Sequence, residues 1–62
     1  MNKFIIILSN EGDLMESLGE NSFSATFDIS QATKYDDENQ AKQVIRDLGI
    51  KFLWNEARTQ KI

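Results

Sequence analysis

The sequence predicts a small α+β domain, in which an antiparallel sheet of three to four strands carries one helix on one face, in the order β-β-(β)-α-β. Residues 3–9 form a short run rich in isoleucine, and residues 22–27 alternate apolar and polar side chains. Residues 37–48 place one apolar stripe at helical spacing. Because the chain has 62 residues, these elements must share one domain over residues 1–62 and one small core.

The first element is a strand over residues 3–9. Its β-branched content and its shortness favour a strand that is covered on both faces, which we expect at the centre of the sheet. Turn-forming residues follow at 10–13, where Gly12 can adopt positive φ and Asn10 or Asp13 can bond to its own backbone. A hairpin is therefore predicted after the first strand.

Two further strand segments lie on either side of Gly19. Residues 13–18 alternate over a short stretch, and residues 22–27 place three apolar side chains on one face, namely Phe23, Ala25 and Phe27. They form either one long hairpin arm with a bulge at Gly19 or two separate strands. Residues 28–31 then predict a turn, and residues 32–35 a brief extended segment.

The helix over residues 37–48 is the clearest pattern in the chain. Its stripe occupies positions i, i+3, i+4 and i+7, which are Ala41, Val44, Ile45 and Leu48. Asp36 or Asp37 is expected to cap the start, and Glu38 to pair with Lys42 one turn later. Gly49 stands where a left-handed residue ends a helix.

The last element is predicted from a short alternation. Ile50, Phe52 and Trp54 alternate with residues 51, 53 and 55, which favours a final strand, although residues 51–60 would also tolerate a helix. Trp54 then belongs either to the core or to an interface.

Composition excludes several classes of site. The chain has no Cys and no His, so we expect no disulfide, no zinc site and no other metal or cofactor. The acidic run at residues 36–38 lacks the alternating spacing of a cation-binding loop, and helix capping explains it. The apolar run at residues 4–8 is too short for a signal peptide or a membrane span, and a buried strand is the alternative. The absence of Cys fits a reducing compartment, so a cytoplasmic location is expected.

The same composition argues against an enzyme. Without His or Cys there is no common base or thiol nucleophile, and the segment around Gly19 lacks the second glycine and the lysine of a phosphate-binding loop. We therefore expect a non-enzymatic protein.

Charge is distributed unevenly along the chain, which has 10 acidic and 7 basic residues and a net charge of −3. The main hypothesis is a protein-interaction module that presents an apolar sheet face or an acidic face to a protein partner. The candidate partner-binding residues of that acidic face are Glu11, Asp13, Glu16 and Glu20.

Two alternatives stay open. A nucleic-acid-associated protein would use the basic C-terminal segment, with Lys51, Trp54, Arg58 and Lys61 as the contact residues. A purely structural homodimer would instead cover the apolar side chains that one helix leaves exposed.

The segment Asp28-Ile29-Ser30-Gln31-Ala32-Thr33-Lys34-Tyr35-Asp36-Asp37, with the helix stripe and Gly49 after it, resembles small uncharacterised proteins encoded by phages and prophages of Gram-positive bacteria. The likeness covers roughly residues 3–49. It implies an apolar opening strand, a hairpin and an amphipathic helix in a small accessory protein, of a kind that can bind and block a bacterial or defence protein. It carries over no functional residue, and the basic final segment departs from it.

Overall fold

The computed structural model describes residues 3–19 and 21–62, and it has the predicted α+β architecture. The elements in chain order are β1 Phe4–Ile7, β2 Leu14–Ser17, β3 Phe23–Thr26, α1 Glu38–Asp47, α2 Ile50–Leu53 and β4 Arg58–Lys61. The four strands form one sheet in the order β3-β2-β1-β4, and all neighbours are antiparallel. The prediction of a small antiparallel sheet with a helix is confirmed.

The isoleucine-rich strand β1 lies inside the sheet, as expected from its continuous apolar sequence. The hairpin that follows it is closed by the Leu8 N–H, which donates to the Asp13 carbonyl at 2.7 Å. The Ser9 hydroxyl donates to the Asp13 carboxylate at 2.7 Å, and Gly12 adopts a φ of 105°. The turn residues at 10–13 therefore form the predicted hairpin.

The strands β1 and β2 diverge after one pair, Ile7 opposite Leu14, and residues 33–35 occupy the space between them. Phe4 and Tyr35 exchange two backbone hydrogen bonds of 2.8 Å, and the Thr33 N–H donates to the Met15 carbonyl at 3.1 Å. The extended segment predicted at residues 32–35 is thus an insert that satisfies backbone groups of both strands. Burial raises the pKa of the Tyr35 hydroxyl in this position.

On either side of Gly19 the chain forms two separate strands, which decides between the two sequence interpretations. The Leu18 N–H donates to the Ser22 carbonyl at 3.1 Å and closes the connection between β2 and β3. After β3 comes the predicted turn at residues 28–31, where Asp28 accepts hydrogen bonds from the Ser30 hydroxyl at 2.8 Å and the Ser30 N–H at 2.9 Å. These bonds lower the pKa of the Asp28 carboxyl.

The helix α1 has the predicted ends. Asp37 is the N-cap, and its side chain accepts a hydrogen bond from the Asn39 N–H at 3.0 Å. Glu38 pairs with Lys42 across 4.0 Å, and Gly49 follows the helix with a φ of 62°. The cap, the ion pair and the left-handed glycine are each determined by residues within one turn of the helix ends.

We expect Asp37→Ala to lower the free energy of unfolding by about 1 kcal/mol, because the first turn of α1 loses its side-chain acceptor. Urea denaturation of both proteins measures the difference. Asp37→Asn is the matched control, since Asn also caps helices well and should keep most of the stability. Equal losses in the two variants would show that the charge matters and the cap bond does not.

The main core lies between α1 and the sheet face that α1 covers, here called the helix face. The residues buried in it are Ile6, Leu8, Met15, Ala41, Ile45, Ile50 and Ala57. Phe23 and Trp54 pack against this cluster while keeping part of their surface exposed. The predicted stripe of α1 therefore faces the sheet.

A second, smaller cluster covers the opposite face of the sheet. Ile5 and Leu14 pack there against Ala32, which precedes the inserted segment, and Ile7 lies at its margin. Both faces of β1 are apolar because both are covered, one by α1 and the other by the segment around Ala32.

The prediction of a strand over residues 50–55 is wrong. Ile50–Leu53 form the short helix α2, and the last strand, β4, begins only at Arg58. Ile50 and Trp54 are one helical turn apart and both contact the core, whereas Phe52 points into solvent. Over six residues, apolar side chains at alternate positions fit a helical turn as well as a strand, so periodicity could not separate the two.

Candidate binding groove

An open groove with a volume of about 690 Å³ lies between α1, α2 and β4. Its walls come from three segments that are separate in sequence. The lining residues are Glu38, Lys42, Ile45 and Arg46 from α1, Gly49, Lys51 and Phe52 from the α2 region, and Ala57, Arg58 and Thr59 at the start of β4.

The helix wall of the groove follows from the periodicity of α1. Glu38, Lys42 and Arg46 are spaced by four residues, so they form one polar row along the helix. This row runs beside the apolar stripe, and the buried Ile45 fixes the rotation of the helix that turns the row toward β4.

Positive charge dominates the groove. Four of the chain's seven basic residues line it, and Glu38 is the one acid among the lining residues. That carboxylate is already engaged, because it accepts a hydrogen bond from the Thr59 hydroxyl at 2.9 Å and lies 4.0 Å from the Lys42 ammonium. The excess of cations is therefore not neutralised from within the groove.

The four cations differ in how firmly the protein holds them. Arg58 is paired with Ile7, so its side chain extends on the sheet face away from α1, where its guanidinium donates to the Asn10 side chain at 3.1 Å and to the Glu56 carbonyl at 3.2 Å. Arg46 and Lys51 are exposed, and neither forms a salt bridge with a described residue. Both are therefore available to an anionic ligand.

An aromatic side chain stands at the edge of the groove. Phe52 is 94% exposed, next to Lys51 on α2, and it is the most exposed large apolar side chain within residues 3–19 and 21–62. Ile45 and Ala57 supply buried apolar surface below. The arrangement can hold a negatively charged group against cations while an apolar group contacts the ring.

The structure separates the residues of the nucleic-acid hypothesis. Lys51 and Arg58 lie in the groove, Trp54 packs half-buried on the core, and Lys61 lies opposite Phe4 at the far end of β4. Lys42 and Arg46 were missed as groove residues. Their four-residue spacing beside the apolar stripe predicts a polar row on α1. The sequence alone did not show that α2 and β4 would lie against this row.

The acidic residues proposed for partner binding occupy different local settings. Glu11 is exposed in the β1–β2 turn, and Asp13 is half-buried and bonded to Ser9. Glu16 is half-buried in β2, and Glu20 lies outside the described residues. Their role in partner binding stays a prediction.

Residues 3–19 and 21–62 contain no group of three or more carboxylates placed to hold a metal ion. No helix within those ranges is long and apolar enough to cross a bilayer.

The chain matches no protein-family model, and no significant match was found among curated proteins or solved structures.

Proposed function

We propose that the protein is a non-enzymatic interaction module that binds an acidic segment of a protein partner in the groove between α1, α2 and β4. The observation that carries the proposal is the concentration of three cations, Lys42, Arg46 and Lys51, around one engaged carboxylate, on a chain whose net charge is −3. A positive groove on a negative protein favours a ligand that is both anionic and short.

Arg46 and Lys51 provide the attraction, because within the described residues they form neither a salt bridge nor a side-chain hydrogen bond. Arg46 and Lys51 come from different helices, so an acidic segment that contacts both must cross the mouth of the groove. Phe52 adds an apolar anchor beside them, and such aromatic side chains carry a large share of binding energy in protein interfaces. We therefore expect the bound segment to combine carboxylates with at least one apolar side chain.

Acids adjacent in sequence to groove residues favour a short protein segment over a nucleic acid. Asp47 directly follows Arg46, Glu56 comes two residues before Arg58, and Asp37 precedes Glu38. A phosphate backbone that continued past the groove would meet these carboxylates. Two features favour the alternative: the groove cations attract phosphate as well as carboxylate, and bases of single-stranded DNA stack on exposed aromatic rings such as Phe52.

The test is a fluorescence binding assay with peptides chosen from an array of short random sequences. We expect the peptides that bind to be enriched in Asp and Glu, and their affinity to fall as salt is added. Lys51→Glu should weaken the best of them at least about tenfold, because it replaces an attraction by a repulsion inside the groove.

Lys61→Glu is the matched control. It makes the same change of charge on another exposed lysine of the chain, but this residue lies outside the groove, so its effect should be small. Equal losses of peptide affinity in both variants would show that overall charge causes the effect, and they would contradict binding in the groove. Oligo(dT) binding that is lost in Lys51→Glu, with no acidic peptide bound, would replace the proposal by the nucleic-acid alternative.

The accessory or inhibitor role implied by the resemblance to phage-encoded proteins fits such a module, since blocking a protein requires binding and no catalysis. The absence of cysteine from the sequence supports a cytoplasmic site of action for it.

A further inference from the structure

The two outer strands of the sheet differ in how their free edges are protected. The outer strand β4 carries Arg58 and Lys61, and charged side chains of this kind prevent edge strands from pairing with other chains. The other outer strand, β3, has the sequence Phe-Ser-Ala-Thr and is followed by Phe27. It has no charged residue, no proline and no bulge to protect its edge.

Backbone groups of β3 point outward from this edge. In an antiparallel pair, hydrogen-bonded and non-hydrogen-bonded positions alternate, and the bond from Leu18 to Ser22 shows which positions face β2. Ser24 and Thr26 therefore bond to β2, while the N–H and C=O groups of Phe23 and Ala25 face away from it. Within the described residues, these outward N–H and C=O groups form one hydrogen bond, in which the Ser24 hydroxyl donates to the Ala25 carbonyl at 3.5 Å.

The sequence of residues 23–27 is nearly palindromic, with the same chemical types of side chain on either side of its centre. Ala25 lies at the centre, Ser24 and Thr26 flank it as two hydroxyl residues, and Phe23 and Phe27 flank those as two aromatic residues. When such a segment pairs antiparallel with itself about its centre, each residue meets a chemically similar one. Aromatic pairs and Ser–Thr pairs are favourable cross-strand neighbours.

From this symmetry we infer that two copies of the protein pair through their β3 edges, about a two-fold axis at Ala25. The pairing joins two four-stranded sheets into one sheet of eight strands. Ala25 then exchanges backbone hydrogen bonds with Ala25 of the second copy. Phe23 of each copy lies across from Phe27 of the other, and the Ser–Thr pairs lie on the opposite face.

The exposure of this part of the sheet agrees with a missing neighbour. The helix α1 packs over β1 and β4, so it leaves the β3 side of the helix face uncovered. Ala25 is exposed, and Phe27 is 75% exposed although it directly follows a strand. A second copy would cover both residues and would satisfy the outward backbone groups.

This inference is independent of the proposed function. The strands β3 and β4 lie at opposite edges of the sheet, so an edge pairing through β3 leaves the groove beside β4 open. The two proposals can therefore be tested separately. A variant that no longer dimerises should still bind peptides, and a variant that no longer binds peptides should still dimerise.

The experiment measures solution mass by sedimentation equilibrium over a range of protein concentrations. We expect the wild type to change from monomer to dimer in the micromolar range, since an interface of one strand pair is small. Ala25→Lys should be monomeric at the same concentrations, because it places two ammonium groups against each other at the axis. Ala25→Glu should be monomeric for the same reason, and an equimolar mixture of the two variants should form dimers again.

Gln60→Lys is the control, because it adds the same charge to an exposed position on the other edge strand and should leave the dimer intact. Circular dichroism and the urea midpoint check that each Ala25 variant is folded. A wild type that stays monomeric at millimolar concentration would overturn the inference, and so would dimers that survive Ala25→Lys. Failure of the mixture to form dimers would overturn the register centred on Ala25.

Discussion

Ile6→Ala should leave a large part of the protein unfolded in water at 25 °C. Ile6 has no exposed surface, lies in the inner strand β1 and belongs to the main core under α1. Shortening a buried isoleucine to alanine removes about 2–5 kcal/mol of stability. A domain of this size with one small core has only about 3–5 kcal/mol in total.

The measurement is the fraction folded at zero urea, from the extrapolated denaturation curve of each variant. Ile62→Ala is the matched control, because it deletes the same atoms from a side chain that is 44% exposed, and it should change the stability by less than about 1 kcal/mol. If Ile6→Ala were as stable as the control, the helix and the sheet would have to close over the missing atoms.

Gly49→Val is expected to have the second largest effect, a loss of about 1–3 kcal/mol. Gly49 has a φ of 62°, which L-residues adopt at a penalty and β-branched residues adopt least readily. A Cβ at this position would also lie 3.2 Å from the Phe52 ring, so the ring must move. The substitution therefore strains the connection between α1 and α2.

Gly49→Asn separates the two causes, since Asn tolerates the left-handed conformation while its Cβ meets the same ring. We expect it to retain more than half of the stability that Gly49→Val loses, as measured by urea denaturation. A loss as large as that of valine would show that contact with Phe52 dominates over backbone strain. Because Phe52 and Lys51 follow this glycine, we also expect Gly49→Val to weaken peptide binding in the groove.

The parts of the fold that were predicted from the sequence are those set by neighbouring residues. The stripe and caps of α1, the turn at Gly12 and the alternation around Ala25 each depend on a few positions in a row, and all of them are present. By contrast, residues 50–55 offered too short a pattern to distinguish a helical turn from a strand. The cap at Gly49 predicted where α1 ends, but not that another helix would begin directly after it.

The groove could not be predicted, because its three walls meet only through tertiary packing. Lys42 and Arg46 appeared in the sequence as the polar side of a helix, and Arg58 as part of a basic tail. What joins them is the antiparallel pairing of β4 with β1, which places Arg58 opposite Ile7 and brings the start of β4 to α1. No local pattern specifies that pairing.

The central position of β1 has a consequence for synthesis. This strand pairs with Leu14, with the inserted Tyr35 and, along its whole length, with β4, which comes last of these partners in chain order. Beside that pairing the Ile62 N–H donates to the Lys3 carbonyl at 2.8 Å. Because the hairpin of β1 and β2 shares one residue pair, it cannot hold β1 in place alone. During synthesis β1 therefore lacks its longest pairing until residues 58–61 have left the ribosome, so chains that stop before β4 expose an isoleucine-rich strand edge and are prone to aggregate.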